Sequence, residues 1–297
     1  MSPSSNNLAA GLYFGRDSVS CVLLRTDADE RTVVSSGTIN LPLPLFKGAP
    51  QEQTTRALVD ALVACSAEVR GRHMPVHVVV PDAAFSIAAF DLEQVPAGQG
   101  TLERLVEFRL AKELGSSAGA CVSQLLGSSE GKTLLLGASM DKAWLASLLS
   151  ACGAAGIVPW SLRPVTAAIF NGFHDSVQGA SGAMITMTAD AWSLWAWDVA
   201  GLARPLRSQW RLGLSDEREI AADVERALIA YTDGHAAREI GQLRLWNPGA
   251  SGALGDALDQ RTQKPCDRGV WPETFAIAES CAASAALAAC VMAAATA

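Results

Sequence analysis

The sequence reads as an α/β protein built from two similar halves. Three observations carry that reading. The chain has 297 residues, of which 49% are hydrophobic and 18% charged, so it can bury a sizeable core and does not have a disordered composition. Short apolar runs bounded by turn residues alternate with segments whose apolar residues recur at helical spacing. The order then repeats: three strand-like stretches and a helix, an excursion, and again three strand-like stretches followed by helices.

Taken in order, residues 8–26 (LAAGLYFGRDSVSCVLLRT) are two apolar runs around the turn GRDS, which is a hairpin pattern. A third strand continues through 31–43, where Thr32, Val33, Val34 and Ile39 favour extended backbone. Pro44, Gly48 and Pro50 make 44–53 a loop. Leu58, Ala61, Leu62 and Cys65 mark a helix over 54–70, and the apolar run 76–82, broken by Pro81, is a buried strand. The excursion follows: a strand at 84–92, a helix at 101–114 with its stripe Leu102, Leu105, Val106, Leu110 and Leu114, and a hairpin of 121–127 with 133–139. Asp141 caps a helix running to about Gly153. A strand at 158–164 and a short helix at 165–173 lead to QGASG (178–182), the best linker candidate. Beyond it come the strands AMITMTA, WSLWAWD and ARPLRSQW, a helix at 215–233, a strand at 242–247, and a helix at 253–262. A final Ala-rich helix is expected from near Glu273.

Composition excludes several functions. The net charge of −7 argues against a nonspecific nucleic-acid binder, which needs a basic face. The seven cysteines include no CxxC pair and the four histidines no HxH or HxxxH, so no structural zinc or histidine-based metal site is expected, and the thiols read as reduced and cytoplasmic. The opening MSPSSNNLAAG lacks the charge-then-apolar pattern of a secretory signal. Residues 280–297 carry no charge, but alanine gains little from lipid, so they are expected as a buried helix rather than a membrane span.

Three stretches resemble the PilM family of actin-like proteins of type IV pilus assembly, together with the related MshI and type II secretion GspL proteins. GLYFGRDSVS (11–20) matches the family's opening line of the type GIDIGSSSVK. VVVPDAAF (78–85) matches its VPGS-type strand end, and LLLGASMDKAWLASLLSACGAAGIVPWSLRP (134–164) its helix-to-strand segment. The resemblance implies an actin-like ATPase fold, that is, a duplicated ribonuclease H-like fold, with the small inserted subdomain found in FtsA and PilM. It divides the chain into a first half of residues 1–83 plus 158–178, an insert of 84–157, and a second half of 179–297, with a nucleotide cleft between the halves.

In that superfamily each half offers a hairpin turn whose backbone N–H groups cradle phosphates, and a carboxylate that serves Mg²⁺ or the attacking water. By resemblance the first turn is Gly15, Arg16, Asp17 and Ser18, but Tyr13 stands where the family has its Asp. The second turn corresponds to TMTA, where Thr186 replaces the carboxylate and Thr188 the glycine. The adenosine loop corresponds to NPGASG, with Gly249 and Gly252. Hydrolysis is therefore not expected, no cofactor is expected to be resident, and the plain reading of GRDS is a polar hairpin turn. The alternative is an active ATPase or kinase taking ATP with Mg²⁺, with Asp17 and Asp190 as its carboxylates.

The remaining motifs are weaker. GSSEGKT (127–133) ends like a P-loop but lies between two strands, and a hairpin turn is its plain reading. No GxSxG is present. LPLPLF (41–46) reads as an extended loop edge. Among eight tryptophans, Trp195 and Trp197 share one strand face and Trp192 takes the other, one face being core and the second open to a partner. By resemblance, the partner is a PilN-like bitopic inner-membrane protein. Its short cytoplasmic N-terminal segment would lie in a groove lined by Phe85, Phe90, Leu105, Phe108 and Arg109. The expected role is a cytoplasmic scaffold at the inner-membrane face, touching the membrane only through that partner. The same five residues also read as plain subdomain core.

Overall fold

The computed structural model describes residues 8–27, 30–115, 119–129, 131–177, 179–211, 217–233, 239–246, 252–268 and 275–276. The first strands, β1 (Leu8–Phe14), β2 (Ser18–Asp27) and β3 (Glu30–Asn40), form an antiparallel meander. Helix α1 (Glu52–Cys65) crosses to β4 (Val76–Val80), which pairs parallel to β1. A single 3₁₀ turn (Asp82–Ala84) leads into β5 (Phe85–Leu92), α2 (Gln99–Leu114), β6 (Ala120–Ser129) and β7 (Lys132–Met140). These three strands form their own sheet in the order β5-β7-β6. Helix α3 (Lys142–Ala154) returns the chain to β8 (Pro159–Pro164), parallel to β4, and α4 (Val165–Val177) follows.

The second half repeats the plan. Strands β9 (Gly182–Met187), β10 (Ala191–Trp197) and β11 (Ala203–Trp210) form a meander. Helix α5 (Glu217–Asp233) leads to β12 (Gln242–Trp246), parallel to β9, and α6 (Ala253–Thr262) to β13 (Cys266–Arg268), parallel to β12. The sheets run β3-β2-β1-β4-β8 and β11-β10-β9-β12-β13, one connectivity used twice. The first sheet gains one edge strand more, β14 (Phe275–Ala276), parallel to β3. The sequence reading expects a helix there, and this pairing corrects it at those two residues: an open sheet edge offers unpaired N–H and C=O groups that outcompete local propensity. The rest of the expected C-terminal helix lies outside the described residues, as does Gly249.

The correspondence also sorts the excursion. Helix α3 occupies the connection that α6 occupies in the second half, and its Trp144, Leu148, Ala151 and Cys152 share one core with Leu58 and Leu62 of α1. The interruption of the repeat is thus Phe85–Met140, whereas the sequence division runs from 84 to 157. Asp141 starts α3 as a side-chain cap, accepting from the N–H groups of Ala143 at 2.9 Å and Trp144 at 3.0 Å. In the insert, Gly137 lets α2 approach closely: a Cβ there would lie 2.7 Å from Val106 and 3.0 Å from the Phe90 ring.

Each sheet buries its outer face under helices, α1 and α3 on the first, α5 and α6 on the second. The inner faces enclose α4. Tyr13, Val22, Leu24, Val33 and Val79 meet Met184, Trp195, Trp197 and Trp246 around Val165, Ala168, Ile169 and Phe170. Trp192 faces the opposite core beside Ile220 and Val224. Both faces of β10 are therefore interior, and Trp192, at 3% exposure, is no partner platform. No helix among the described residues is long and apolar enough to cross a membrane.

Candidate functional site

The duplicated meanders set two hairpin turns against each other at the mouth of the central cleft. In the first, the Gly15 N–H donates to Ser18 O at 2.9 Å and closes the turn. The loop after β3 holds it from outside: Leu41 N–H donates to Asp17 O at 2.8 Å and Leu45 N–H to Arg16 O at 2.7 Å. LPLPLF is thus a brace for this turn rather than a free edge, with Leu45 buried and Phe46 stacked on Trp210 of the second half at 5.6 Å and near Trp144 at 5.2 Å.

The second turn closes on itself. The Thr188 hydroxyl donates to Ala191 O and accepts from Ala191 N–H, both at 3.1 Å, while Thr188 N–H donates to Ala191 O at 2.8 Å. This projects Asp190 toward the first turn. Its carboxylate accepts from Arg16 N–H at 2.8 Å, and the Asp17 backbone also favours its charged form. The fit is close: a Cβ on Gly15 would lie 2.5 Å from Asp190 Oδ2 and 2.7 Å from the Tyr13 ring. Burial pushes the Asp190 carboxyl above its ordinary value, and the Arg16 N–H opposes that shift. Asp17 itself points to solvent.

Deeper in the cleft, Thr186 is buried and its hydroxyl meets that of Thr166 at 2.5 Å. Beside them lies a carboxylate that sequence reasoning passed over. Asp82 is 1% exposed, accepting from Thr166 N–H at 2.9 Å and from Trp195 Nε1–H at 2.8 Å. It satisfies an otherwise unpaired N–H in the first turn of α4 and ties the end of β4 to β10. Burial drives its carboxyl upward, and its hydrogen bonds pull the other way. The sequence signal was present in VVVPD, a lone acid closing an apolar strand, but nothing local revealed its partners.

Of the adenosine-loop glycines, Gly252 stands at the start of α6. Arg268 lies across it: a Cβ at Gly252 would sit 3.1 Å from Arg268 Nη1, and one at Gly255 2.5 Å from Arg268 Nε. Asp256 and Asp259 hold that guanidinium. Among the described residues, no three His, Cys, Asp or Glu side chains group to hold a metal ion. The strand position of each expected metal acid is filled instead by Tyr13 and Thr186, both buried.

The five groove residues fall into three places. Phe90 is buried in the insert's core, with Leu105 packed at its edge and the Arg109 guanidinium 5.9 Å over its ring. Phe85 packs against the core of the first half instead. Phe108, on the outer side of α2, is 61% exposed. GSSEGKT lies between β6 and β7, two strands rather than a strand and a helix, so its P-loop likeness has no structural counterpart.

By sequence the chain matches no family model and no curated protein. By structure it matches a chain of the PilM–PilN type IV pilus biogenesis complex, with a TM-score of 0.72 and 15% identity over 95% of this chain and 97% of that one. A Bacteroides thetaiotaomicron protein with actin-like ATPase fold and unknown function matches with a TM-score of 0.54 and 11% identity, over 96% and 95%. The chain has the actin-like ATPase fold. The ethanolamine utilization protein EutJ from Carboxydothermus hydrogenoformans also matches, with a TM-score of 0.50 and 8% identity over 97% and 90%. The two halves are joined at the central cleft by the chain's own hydrogen bonds, from Arg16 N–H to Asp190, between the Thr166 and Thr186 hydroxyls, and from Trp195 Nε1–H to Asp82.

Proposed function

We propose that the chain is a non-hydrolysing, actin-like scaffold of a pilus or type II secretion assembly platform. It would work at the cytoplasmic face of the inner membrane and bind the cytoplasmic N-terminal segment of a PilN-like membrane protein. The carrying observation is the end-to-end likeness to a chain of the PilM–PilN complex, which takes in the insert as well as both halves. The cleft supports the non-hydrolysing part. Tyr13 cannot hold Mg²⁺ as a carboxylate does, and Thr186 spends its hydroxyl on Thr166.

The groove reading narrows to the outer side of α2. Phe108 is exposed there, on the same helix as Leu105 and Arg109, and an exposed aromatic suits an extended apolar segment. The test is a titration of a synthetic peptide of the PilN-like protein's cytoplasmic N-terminus against the full chain and its Phe108→Asp variant. The expected result is binding by the wild type and its loss in the variant, with an unchanged melting temperature because Phe108 contributes little to the core. Binding that survives Phe108→Asp rejects this surface, and a wild type that binds no such peptide rejects the partner.

A further inference from the structure

We infer that the chain occupies its own nucleotide cleft: Asp190 fills the turn Gly15–Ser18 as an internal counterpart of a phosphate, Arg268 covers Gly252 and Gly255, and removing Asp190 turns that turn into a phosphate site. The inference goes beyond the partner reading and does not depend on it. The Arg16 backbone N–H donates to one buried carboxylate at 2.8 Å, beside a glycine whose missing Cβ makes room for it, and the Asp17 backbone next along the turn also favours the charged form. That is the geometry by which backbone turns hold phosphate. The anion comes from position 190, 174 residues away, on the matching turn of the other half.

The Asp190 backbone is anchored from behind, because Arg211 N–H donates to its main-chain carbonyl at 2.7 Å. A phosphate oxygen and the Asp190 carboxylate need the same donors in the same volume, and two anions at one buried site repel strongly. Removing the carboxylate frees those donors without removing the cations nearby. Arg16 stays on the turn. The Arg211 Nε is buried without a hydrogen-bond partner, while its Nη1 donates to Thr188 O at 3.3 Å. The second occupied surface is independent of the first. Gly252 and Gly255 would open the start of α6 to a planar ring, and the planar guanidinium of Arg268 already lies there.

The experiment is calorimetric titration of the full chain with inorganic phosphate and with ATP, comparing wild type, Asp190→Ala and Asp190→Asn, each checked for fold by circular dichroism. Asp190→Ala is expected to bind both ligands about tenfold or more tightly than wild type. Asp190→Asn, which keeps an acceptor for the Arg16 N–H but loses the charge, is expected to lie between them. Equal affinity in wild type and a folded Asp190→Ala overturns the inference. If Asp190→Ala does not fold, an Asn variant that binds no better than wild type overturns it. Amide exchange on the wild type gives a reading free of any variant. The Arg16 amide is expected to be protected in phosphate-free buffer and to gain nothing from added phosphate, and free exchange there overturns the proposal. Peptide capture is read separately, so its failure leaves this result standing.

Discussion

The two hairpin turns began from the same place in a repeated topology and now do opposite things. The β1–β2 turn keeps its glycine and its outward N–H groups and needs an anion to satisfy them. The β9–β10 turn has Thr188 where glycine is expected and folds its hydroxyl back onto Ala191. It supplies the anion instead, through Asp190. Symmetry of fold therefore does not carry over to symmetry of chemistry: once one turn closes on itself, the next residue is free to serve its twin. The cleft that results is cross-bonded at its mouth by Asp190 and at its base by Asp82.

The sharpest way to break this arrangement is at the base. Asp82→Ala leaves Thr166 N–H and Trp195 Nε1–H buried without their acceptor, and each such group costs roughly 1–3 kcal/mol. A loss of about 3 kcal/mol is expected, read as a drop in denaturation midpoint at unchanged slope.

Next comes the contrast between the turns. Gly15→Ala forces a methyl into Asp190 and the Tyr13 ring and should cost about 2 kcal/mol. Thr188→Val keeps the shape of the second turn and removes only its hydroxyl bonds, for about 1 kcal/mol. If the two losses are equal, the turns are not functionally different. Part of the Gly15→Ala cost should vanish in an Asp190→Ala background, because the two residues touch.

The pH dependence sharpens the same point. Folding raises the carboxyls of Asp82 and Asp190 above 3.8. A carboxyl raised by folding adds stability below its unfolded value, and that stability is lost as pH climbs through the folded value. Their contribution therefore falls as pH rises above about 4, and Asp190→Asn should flatten part of that slope in chemical denaturation across acidic to neutral pH. The smallest effect belongs to Asp17→Ala. The side chain is exposed, so a change within about 0.5 kcal/mol is expected in the same denaturation assay.

Much of the fold was legible in the amino-acid string because its signals are local. Short apolar runs between turn residues marked both meanders, helical spacing marked α1 and α5, and Asp141 announced α3 through a cap that reaches only two and three residues ahead. The candidate hairpin turn at Gly15–Ser18 was legible for the same reason. What the string could not reveal depends on residues far apart in it. Asp82 meets Trp195 across 113 positions and Arg16 meets Asp190 across 174, and neither pairing leaves a periodicity to read. The role of α3 as a helix of the repeat emerged only from the order of strands in two sheets, and the strand at 275–276 only from the free edge of β3. Sequence by itself determined most of which segments are strands and helices, since backbone propensity and side-chain spacing act within a few residues. Tertiary structure alone decided where the remaining carboxylates go, because a buried charge takes whichever donors the closed fold brings to it.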